Sequence, residues 1–446
     1  MKRAIIIFTK VPIAGRTKTR LMPQLTAQQC AELHTCFLRD IRSECEACDA
    51  DIYVCYTPAG EEDKALLMDI LGAQQGWFPQ QEAGLGERMY RALAQGLAMG
   101  YEQCVLIGTD VPELRAADLT QAFAVLKERD TVFGRTCDGG YYLVGMKTAH
   151  PEAFGPERYG HSHVLADTVE ALQCVGITVG YTTTLADMDT PEDLRGYRER
   201  MRENAPRLRR TQTGRYLARI APISIIIPIY NEEKYIVQLQ EQLRGLRNRC
   251  EILFVDGGSN DRTLALLEPD YAVLHCPKGR AAQMNLGAQA SSGEILFFLH
   301  CDSELPPDPL REIRRVMRDY RAGCFGIAFH SRNFFMFTCR VISNHRVKDR
   351  KVMFGDQGIF VERRLFFDSG MFPEISLMED YQFSLTLKEK QVRLGLAKRR
   401  IYTSDRRFPK GTMAKLKLMW KMNRLRKMYR DGVSPEILAQ MYRDIR

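Results

Sequence analysis

The sequence predicts two consecutive α/β domains, each built on a mostly parallel sheet. Three observations point to it. A strand-sized apolar run opens each half, AIIIF from Ala4 and ISIIIPIY from Ile223. Behind each, short apolar runs alternate with amphipathic stretches of helical length, the rhythm of βαβ units. The 446 residues also exceed what one core serves, at about 150 residues per domain.

The first domain is assigned to 1–205. Its strands read AIIIF, DIYVCY from Asp51, CVLIG from Cys104, YYLVG from Tyr141 and GITVGY from Gly176, with helices beginning after Thr26, Gly86 and Ala117. An arginine-rich stretch, RERMRENAPRLRRTQTGRYLAR, follows; it has little apolar periodicity and reads as a helix end and then a solvated linker over 206–221. The second domain, 222–446, continues with EILFVD from Glu251, YAVLH from Tyr271, EILFFLH from Glu294 and CFGIAF from Cys324.

Hydrophobic residues at 45% and charged residues at 27% exclude collagen, a disulfide miniprotein and wholesale disorder. Lys plus Arg exceed Asp plus Glu, 64 against 55, giving +9 and favouring an anionic partner. The apolar runs fall short of the roughly 18 residues a membrane span needs, and the basic residues just after the first one argue for a strand rather than a signal peptide. Thirteen cysteines without regular spacing fit a reducing cytoplasm. The single C-x-x-C, Cys45 to Cys48, reads as ordinary thiols.

In an open α/β sheet, ligands bind beyond the carboxyl ends of the strands. Both VLIGTDVPEL and ILFFLHCDSELP end an apolar strand in an aspartate followed by a proline, which directs Asp110 and Asp302 toward a ligand; helix capping is the competing role. In the second half, Tyr230, Asn231 and Glu232 follow the first strand. Asp256, Gly257, Gly258, Ser259 and Asn260 close the next, a set suited to a base and a ribose. Lys278 and Arg280 open a helix carrying Asn285, and cations at a helix start suit a diphosphate. His300, Asp302 and Glu304 alternate, so an extended stretch would point all three one way, toward a divalent ion, Mg²⁺ or Mn²⁺. Glu379 and Asp380 begin a further helix, with Asp380 placed to take a proton from an attacking hydroxyl.

From 223 to the end, that order resembles the family 2 glycosyltransferases of the GT-A fold: PIYNEE, VDGGSND, HCDSELP and MED stand where that family has its opening, nucleotide-binding, metal-binding and catalytic-base motifs. The resemblance implies inverting transfer of a sugar from a nucleotide-sugar donor to an acceptor hydroxyl, with a divalent cation on the diphosphate. It implies that Glu232 and Asp256 hold base and ribose, Arg280 and Asn285 the nucleotide, Asp302 the metal and Asp380 the acceptor proton. His300 departs from the family pattern, standing where an aspartate is usual. KGRAAQMNLGA, GDQGIFV and DGVSPEILAQMYR are similar to a subgroup that genomic naming links to arsenosugar-type biosynthesis. By analogy Asp356, Gln357 and Glu379 fall on the acceptor side, and Arg406 and Arg407 close over phosphate.

In the first half, FTKVPIAGRTKTRL brings Lys10, Gly15, Lys18, Thr19 and Arg20 onto the loop after the first strand, the cations and flexible backbone a phosphate site needs. It lacks Walker A spacing. Asp110 and Asp189 are candidates to converge on a metal; Asp138 and Asp187 stand on neighbouring loops, Gly139 and Gly140 form a turn, and Asp193 supports the helix after Pro191. The opening motif, GTDVP and DGGYY resemble a GT-A-like family related to nucleotidyltransferases and of unassigned function. This implies nucleotide binding, with nucleotidyl transfer onto a sugar phosphate as an alternative activity. A protein that binds nucleotide or nucleic acid without catalysis is a third reading, and no nucleic acid is expected under the leading one.

The stretch 410–430 has no acidic residue and mixes Leu418, Trp420, Met422, Leu425 and Met428 with eight cations. It reads as a helix packing its apolar side on the core, with peripheral contact at an anionic inner membrane surface as the competing reading, which Phe334, Phe335 and Phe337 keep open. The partners expected are a nucleotide sugar and a small or lipid-linked acceptor.

Overall fold

The computed structural model describes residues 2–155, 159, 161–203, 207–330, 334–403 and 412–443. It divides into two compact units, Met1–Leu217 and Ala218–Arg446. Both are mixed α/β with largely parallel sheets.

The first unit holds strands β1 (Arg3–Lys10), β2 (Asp51–Thr57), β3 (Gly76–Pro79), β4 (Gln103–Gly108), β5 (Thr131–Arg135), β6 (Tyr141–Met146) and β7 (Val179–Tyr181). They lie in the order β3-β2-β1-β4-β6-β5-β7. All neighbours are parallel except those of β6. The apolar run of β1 is continuous because both faces of the sheet are covered. Ile5 and Ile7 pack with Leu38, Ile41 and Phe123 on one side, while Ala4 and Ile6 pack with Met89, Ala92 and Leu93 on the other. The helix Ala27–Glu46 starts where Thr26 and Gln29 cap each other's backbone amides.

The second unit holds β8 (Ile223–Ile229), β9 (Glu251–Asp256), β10 (Ala272–His275), β11 (Ile295–Phe298), β12 (Ser303–Glu304), β13 (Ala322–Ala328), β14 (Ile359–Glu362) and β15 (Leu394–Thr403). Their order is β10-β9-β8-β11-β14-β13-β15-β12. Setting aside the short edge strand β12, the strands of each unit counted from its own first run 3-2-1-4-6-5-7, with the sixth antiparallel to both neighbours. The chain therefore contains one sheet topology twice. Ile225 and Ile227 face Leu239, Leu243 and Ile313, and Ile226 faces Ala281, Met284 and Ala288, so β8 repeats the two-sided burial of β1.

Over the described part of the expected solvated linker, 207–221, the structure differs from that reading. A helix spans Gln212–Ile220, capped by Asp40, whose carboxylate accepts from the amides of Gln212 (2.7 Å) and Thr213 (2.9 Å). Leu208, Tyr216 and Leu217 are buried. The apolar face of so short a helix is spread too thinly among arginines for its period to show.

The helices Thr412–Arg430 and Pro435–Arg443 pack through Leu425 and Leu438 against Val352, Met378 and Tyr381. Trp420 and Met413 stay 63% and 78% exposed. The side chains of Phe334, Phe335 and Phe337 lie outside the described residues, as do Arg406 and Arg407. Among the described residues no helix is long and apolar enough to cross a membrane, and none of the described cysteines is bridged. Burial pushes both the Cys45 and Cys48 thiols upward, against any thiolate role.

Candidate active site

In the second unit β9, β8 and β11 are parallel neighbours, so the loops that leave their carboxyl ends share one edge. Asp256, the last residue of β9, pairs in register with Ile229, the residue before Tyr230. Its buried carboxylate accepts from the amides of Gly258 (3.0 Å) and Ser259 (3.2 Å), and His275 Nδ1 stands 3.6 Å away. Gly258 takes φ +83°, which lets those amides turn back on the carboxylate. The two loops are stitched together: Ser259 Oγ accepts from the Asn231 amide (3.0 Å), Asn231 Oδ1 from the Asn260 amide (2.9 Å), and Thr263 Oγ1 from the Glu232 amide (2.7 Å). Gln283 braces the edge from below, donating to the carbonyls of Ile229 (2.8 Å) and Val255 (2.7 Å) beside Gly257. Lys278 Nζ lies 3.9 Å from the centre of the Tyr230 ring.

Arg280 begins the helix Arg280–Ala290, and its Nη1 reaches Glu379 Oε1 at 3.2 Å. Burial pushes the Glu379 carboxyl up, adjacent Asp380 adds to this, and Arg280 offsets part of it. Asp380 sits in the first turn of the helix Glu379–Glu389. Its Oδ1 accepts from the Tyr381 amide (2.7 Å) and its Oδ2 from the Gly355 amide (2.7 Å). A methyl group on Gly355 would come within 2.8 Å of the His300 imidazole and 3.5 Å of Asp380 Oδ2. His300, beyond β11, is thus packed against the same glycine that holds Asp380.

The trio His300, Asp302 and Glu304 does not present itself as the alternation predicts. Residues 301–302 form a turn, closed by the Ser303 amide donating to the His300 carbonyl (3.1 Å), which breaks the extended backbone the reading required. His300 is buried toward Gly355, while Glu304 Oε2 pairs with His330 Nε2 at 2.6 Å. Asp302 and Glu304 nevertheless line one cavity of about 220 Å³ with Tyr235, His330 and Tyr402. Among the described residues no three His, Cys, Asp or Glu side chains form a cluster able to hold an ion unaided.

Asn285 is a further correction. Its Nδ2 donates to the Phe372 carbonyl (2.8 Å) and its Oδ1 accepts from the Phe372 amide (3.1 Å), so the amide is spent on backbone in the core rather than turned to a nucleotide. Gln357 is likewise buried, its Oε1 accepting from the Phe354 amide (3.2 Å). Asp356 is half-buried near Arg346, which the sequence reading passes over, and Arg426, which it counts only among the cations of the 410–430 stretch. Neither stands in a motif, and nothing in spacing relates positions 80 apart.

In the first unit the loops after β1 and β4 meet a third at 187–189. Lys18, held at φ +54° with its side chain 3% exposed, places Nζ 2.6 Å from Asp110 Oδ1, 2.6 Å from the Met188 carbonyl and 3.7 Å from Asp189 Oδ1. Arg20 Nη1 holds Asp189 Oδ2 at 2.9 Å. Asp110 and Asp189 thus converge as expected, but on the ammonium of Lys18. Burial would raise the Asp110 carboxyl; Lys18, His34 and Lys10 outweigh it and hold it below the usual range. Burial, with Asp138 and Asp193 nearby, pushes Asp187 up to about 6. Asp138 Oδ1 accepts from the Gly140 amide (3.0 Å) and Gly139 takes φ +91°, the turn anticipated there. Asp193 caps its helix through the Thr190 amide (2.7 Å). Gly15, at φ +78°, has open space around it.

Residues 224–370 match the family model described as glycosyl transferase family 2. The second unit carries a family 2 glycosyltransferase domain. Residues 41–161, in the first unit, match a family described as uncharacterized protein conserved in bacteria (DUF2064). An undecaprenyl-phosphate 4-deoxy-4-formamido-L-arabinose transferase of Pseudomonas fluorescens is 31% identical over 114 residues, which are 23% of this chain and 33% of that protein. The chain thus spans about one third of the length of such curated relatives. Among solved structures, a Desulfovibrio desulfuricans protein provisionally described as a nucleotide-diphospho-sugar transferase is 31% identical. The match covers 49% of this chain and 94% of that one with a TM-score of 0.46. A mannosyltransferase from Pyrobaculum calidifontis, solved with GDP-Man and Mn²⁺, is 19% identical over 50% of this chain and 69% of that one, TM-score 0.34. The edge built by Tyr230, Asp256, His300 and Asp380 belongs to the unit that carries the family 2 domain.

Proposed function

We propose that the chain transfers a sugar from a nucleotide-sugar donor to an acceptor hydroxyl, with inversion, at the carboxyl edge of β8, β9 and β11. The observation that carries this is Asp380, a carboxylate fixed by two amides (2.7 Å each), standing across Gly355 from His300 with Arg280 in electrostatic reach. In this reading the stitched loops 230–233 and 256–263 receive base and ribose, and Lys278 and Arg280 face the diphosphate. Asp380 takes the acceptor proton as the hydroxyl attacks the anomeric carbon from the side opposite the leaving group. Arg280 must exchange Glu379 for phosphate, a trade between two anionic partners.

A divalent cation fits this edge through two carboxylates, Asp302 and Glu304, which line one cavity. Mg²⁺ and Mn²⁺ sites commonly take one or two carboxylates and complete their shell with substrate phosphates, so a preformed three-ligand cluster is not required. When bound, the ion would offset charge developing on the departing diphosphate. The curated relatives are named for undecaprenyl phosphate, which supports a lipid-linked acceptor. Trp420 and Met413, exposed on the basic helix, suit peripheral contact with an anionic surface on the cytoplasmic side. The resemblance to the arsenosugar-linked subgroup gives no substrate.

For the first unit, a nucleotide-binding role is supported by the Lys18, Arg20, Asp110 and Asp189 cluster on the same sheet topology. Its alternative activity is nucleotidyl transfer onto a sugar phosphate, supplying the donor. Incubating the full chain with nucleoside triphosphates and sugar phosphates tests that: released pyrophosphate supports it, and its absence alongside sugar transfer from a supplied nucleotide sugar leaves transfer as the activity.

A further inference from the structure

Next to the Gly355 amide that holds Asp380, the helices Phe334–Asp349 and Thr412–Arg430 each bring one arginine to the same ring. Arg346 lies 4.0 Å and Arg426 4.8 Å from the centre of Phe354, the residue before Gly355. The Nε atoms of both are buried without a hydrogen-bond partner. The one hydrogen bond either side chain makes among the described residues is Arg426 Nη1 to Asn423 Oδ1 at 3.0 Å, and neither forms an ion pair there. Burial and mutual repulsion push Arg346 down to about 10, and burial also lowers Arg426. The charges facing the pair are Asp356 and Asp380, with Arg350 adding a further cation to Arg426.

Two half-buried guanidiniums packed on one ring and within electrostatic reach of each other cost solvation and repulsion that Phe354 and two carboxylates only partly offset. A dianion recovers both, because each fork can take two of its oxygens. The donor side already has its own cations in Lys278 and Arg280. We propose that Arg346 and Arg426 bind a phosphate monoester carried by the acceptor, anchoring it beside Asp380. Ile342, one turn before Arg346, and Trp420 are exposed apolar groups on these same two helices, so an amphiphilic phosphate and a soluble one are both accommodated.

The inference rests on Asp380 marking the acceptor side, and the test separates the two claims. Equilibrium binding to the full chain is measured with glucose 6-phosphate in solution, with decaprenyl phosphate in detergent micelles, and with decaprenol in the same micelles. A nucleotide-sugar panel is titrated in parallel. The expected result is binding of at least one phosphate, decaprenol at least tenfold weaker than its phosphate, and a tenfold or greater loss in both Arg346→Gln and Arg426→Gln. Arg346→Lys should recover part of the loss, and Arg424→Gln, on the solvent side of the same helix, should change nothing. Binding of the micellar phosphate alone identifies a lipid source and, because decaprenyl phosphate carries no alcohol hydroxyl, overturns a hydroxyl acceptor in favour of the phosphate oxygen itself; binding of both supports a phosphate of either source. Phosphate binding unchanged in both glutamine variants, phosphate and alcohol bound equally, or a loss confined to the nucleotide sugar would overturn the assignment. Phosphate binding that persists while no nucleotide sugar binds would leave the arginine site standing and sink the transfer reading instead.

Discussion

A carboxylate that removes a proton must be fixed in direction and still offer a lone pair. Asp380 meets both needs: each oxygen accepts one backbone amide, which leaves each a second acceptor position. Asp380→Asn keeps the shape but removes the basicity, so turnover should fall by about 10²–10⁴-fold with donor affinity nearly unchanged, measured as kcat against a direct binding constant. Equal loss of both would argue for a structural role. His34 provides a test of the first unit. Its ring, between Thr9 Oγ1 (3.2 Å) and the Lys10 carbonyl (3.1 Å), is held by burial down to about 4. The folded ring stays neutral where the unfolded chain, at about 6.5, binds a proton. Stability should therefore decline as pH falls from about 6.5 to about 4, by up to about 3 kcal/mol from this one group, and no further below. His34→Gln should flatten that part of the acid unfolding curve, as followed by denaturant titration at several pH values. An unchanged slope would place the proton uptake elsewhere.

At the scale of elements, what matters is how strand ends and helix starts are pinned. Gln283 joins the ends of β8 and β9 from the helix Arg280–Ala290, and removing its amide takes one donor from each of two carbonyls, that of Ile229 keeping the Gly257 amide at 3.0 Å. Gln283→Ala should cost about 1–3 kcal/mol in chemical unfolding and weaken nucleotide-sugar binding as the edge loosens. Gly355→Ala forces its methyl toward the His300 ring at 2.8 Å and toward Asp380 at 3.5 Å. It should abolish most activity while circular dichroism stays native; full activity would mean that the glycine does not set the distance between the two side chains. These elements also show which features a sequence exposes. Asp256 closes an apolar run and Asp380 opens a helix after a turn, so their positions at the sheet edge follow from local pattern. β14 and β15 are absent from the strands read in the sequence. The first is four residues long, and the second carries Lys398, Arg399 and Arg400 on its exposed stretch, so neither shows an apolar period. The turn at 301–302 defeats a reading of alternation that assumed extended backbone. Asn285, polar in the sequence and bonded to Phe372 in the fold, is indistinguishable from a ligand group until its long-range partner is known. The approach of Arg346 and Arg426 to Phe354 is likewise purely tertiary.

At the scale of the whole molecule, one strand order occurs twice, and the two edges differ in charge. In the first unit a buried lysine already neutralises the aspartate after the fourth strand (Lys18 Nζ to Asp110 Oδ1, 2.6 Å), whereas the corresponding loop of the second unit keeps Asp302 and Glu304 at a cavity. The resident cations of the second edge, Lys278 and Arg280, come from a different loop and helix from those two carboxylates. The two halves were readable as repeats of one rhythm because β1 and β8 each bury both faces and so stand out as continuous apolar runs. The helix Gln212–Ile220, with its buried face split among arginines, was not. The most direct test is calorimetric titration of the full chain with a panel of nucleotide sugars, with and without Mg²⁺ or Mn²⁺. At least one donor should bind, more tightly with the metal. That increment should vanish in Asp302→Ala and survive in Asp380→Asn. If no nucleotide sugar binds, or if Asp302→Ala binds as the natural chain does at every metal concentration, the carboxyl edge of β8, β9 and β11 is not a metal-assisted sugar-donor site.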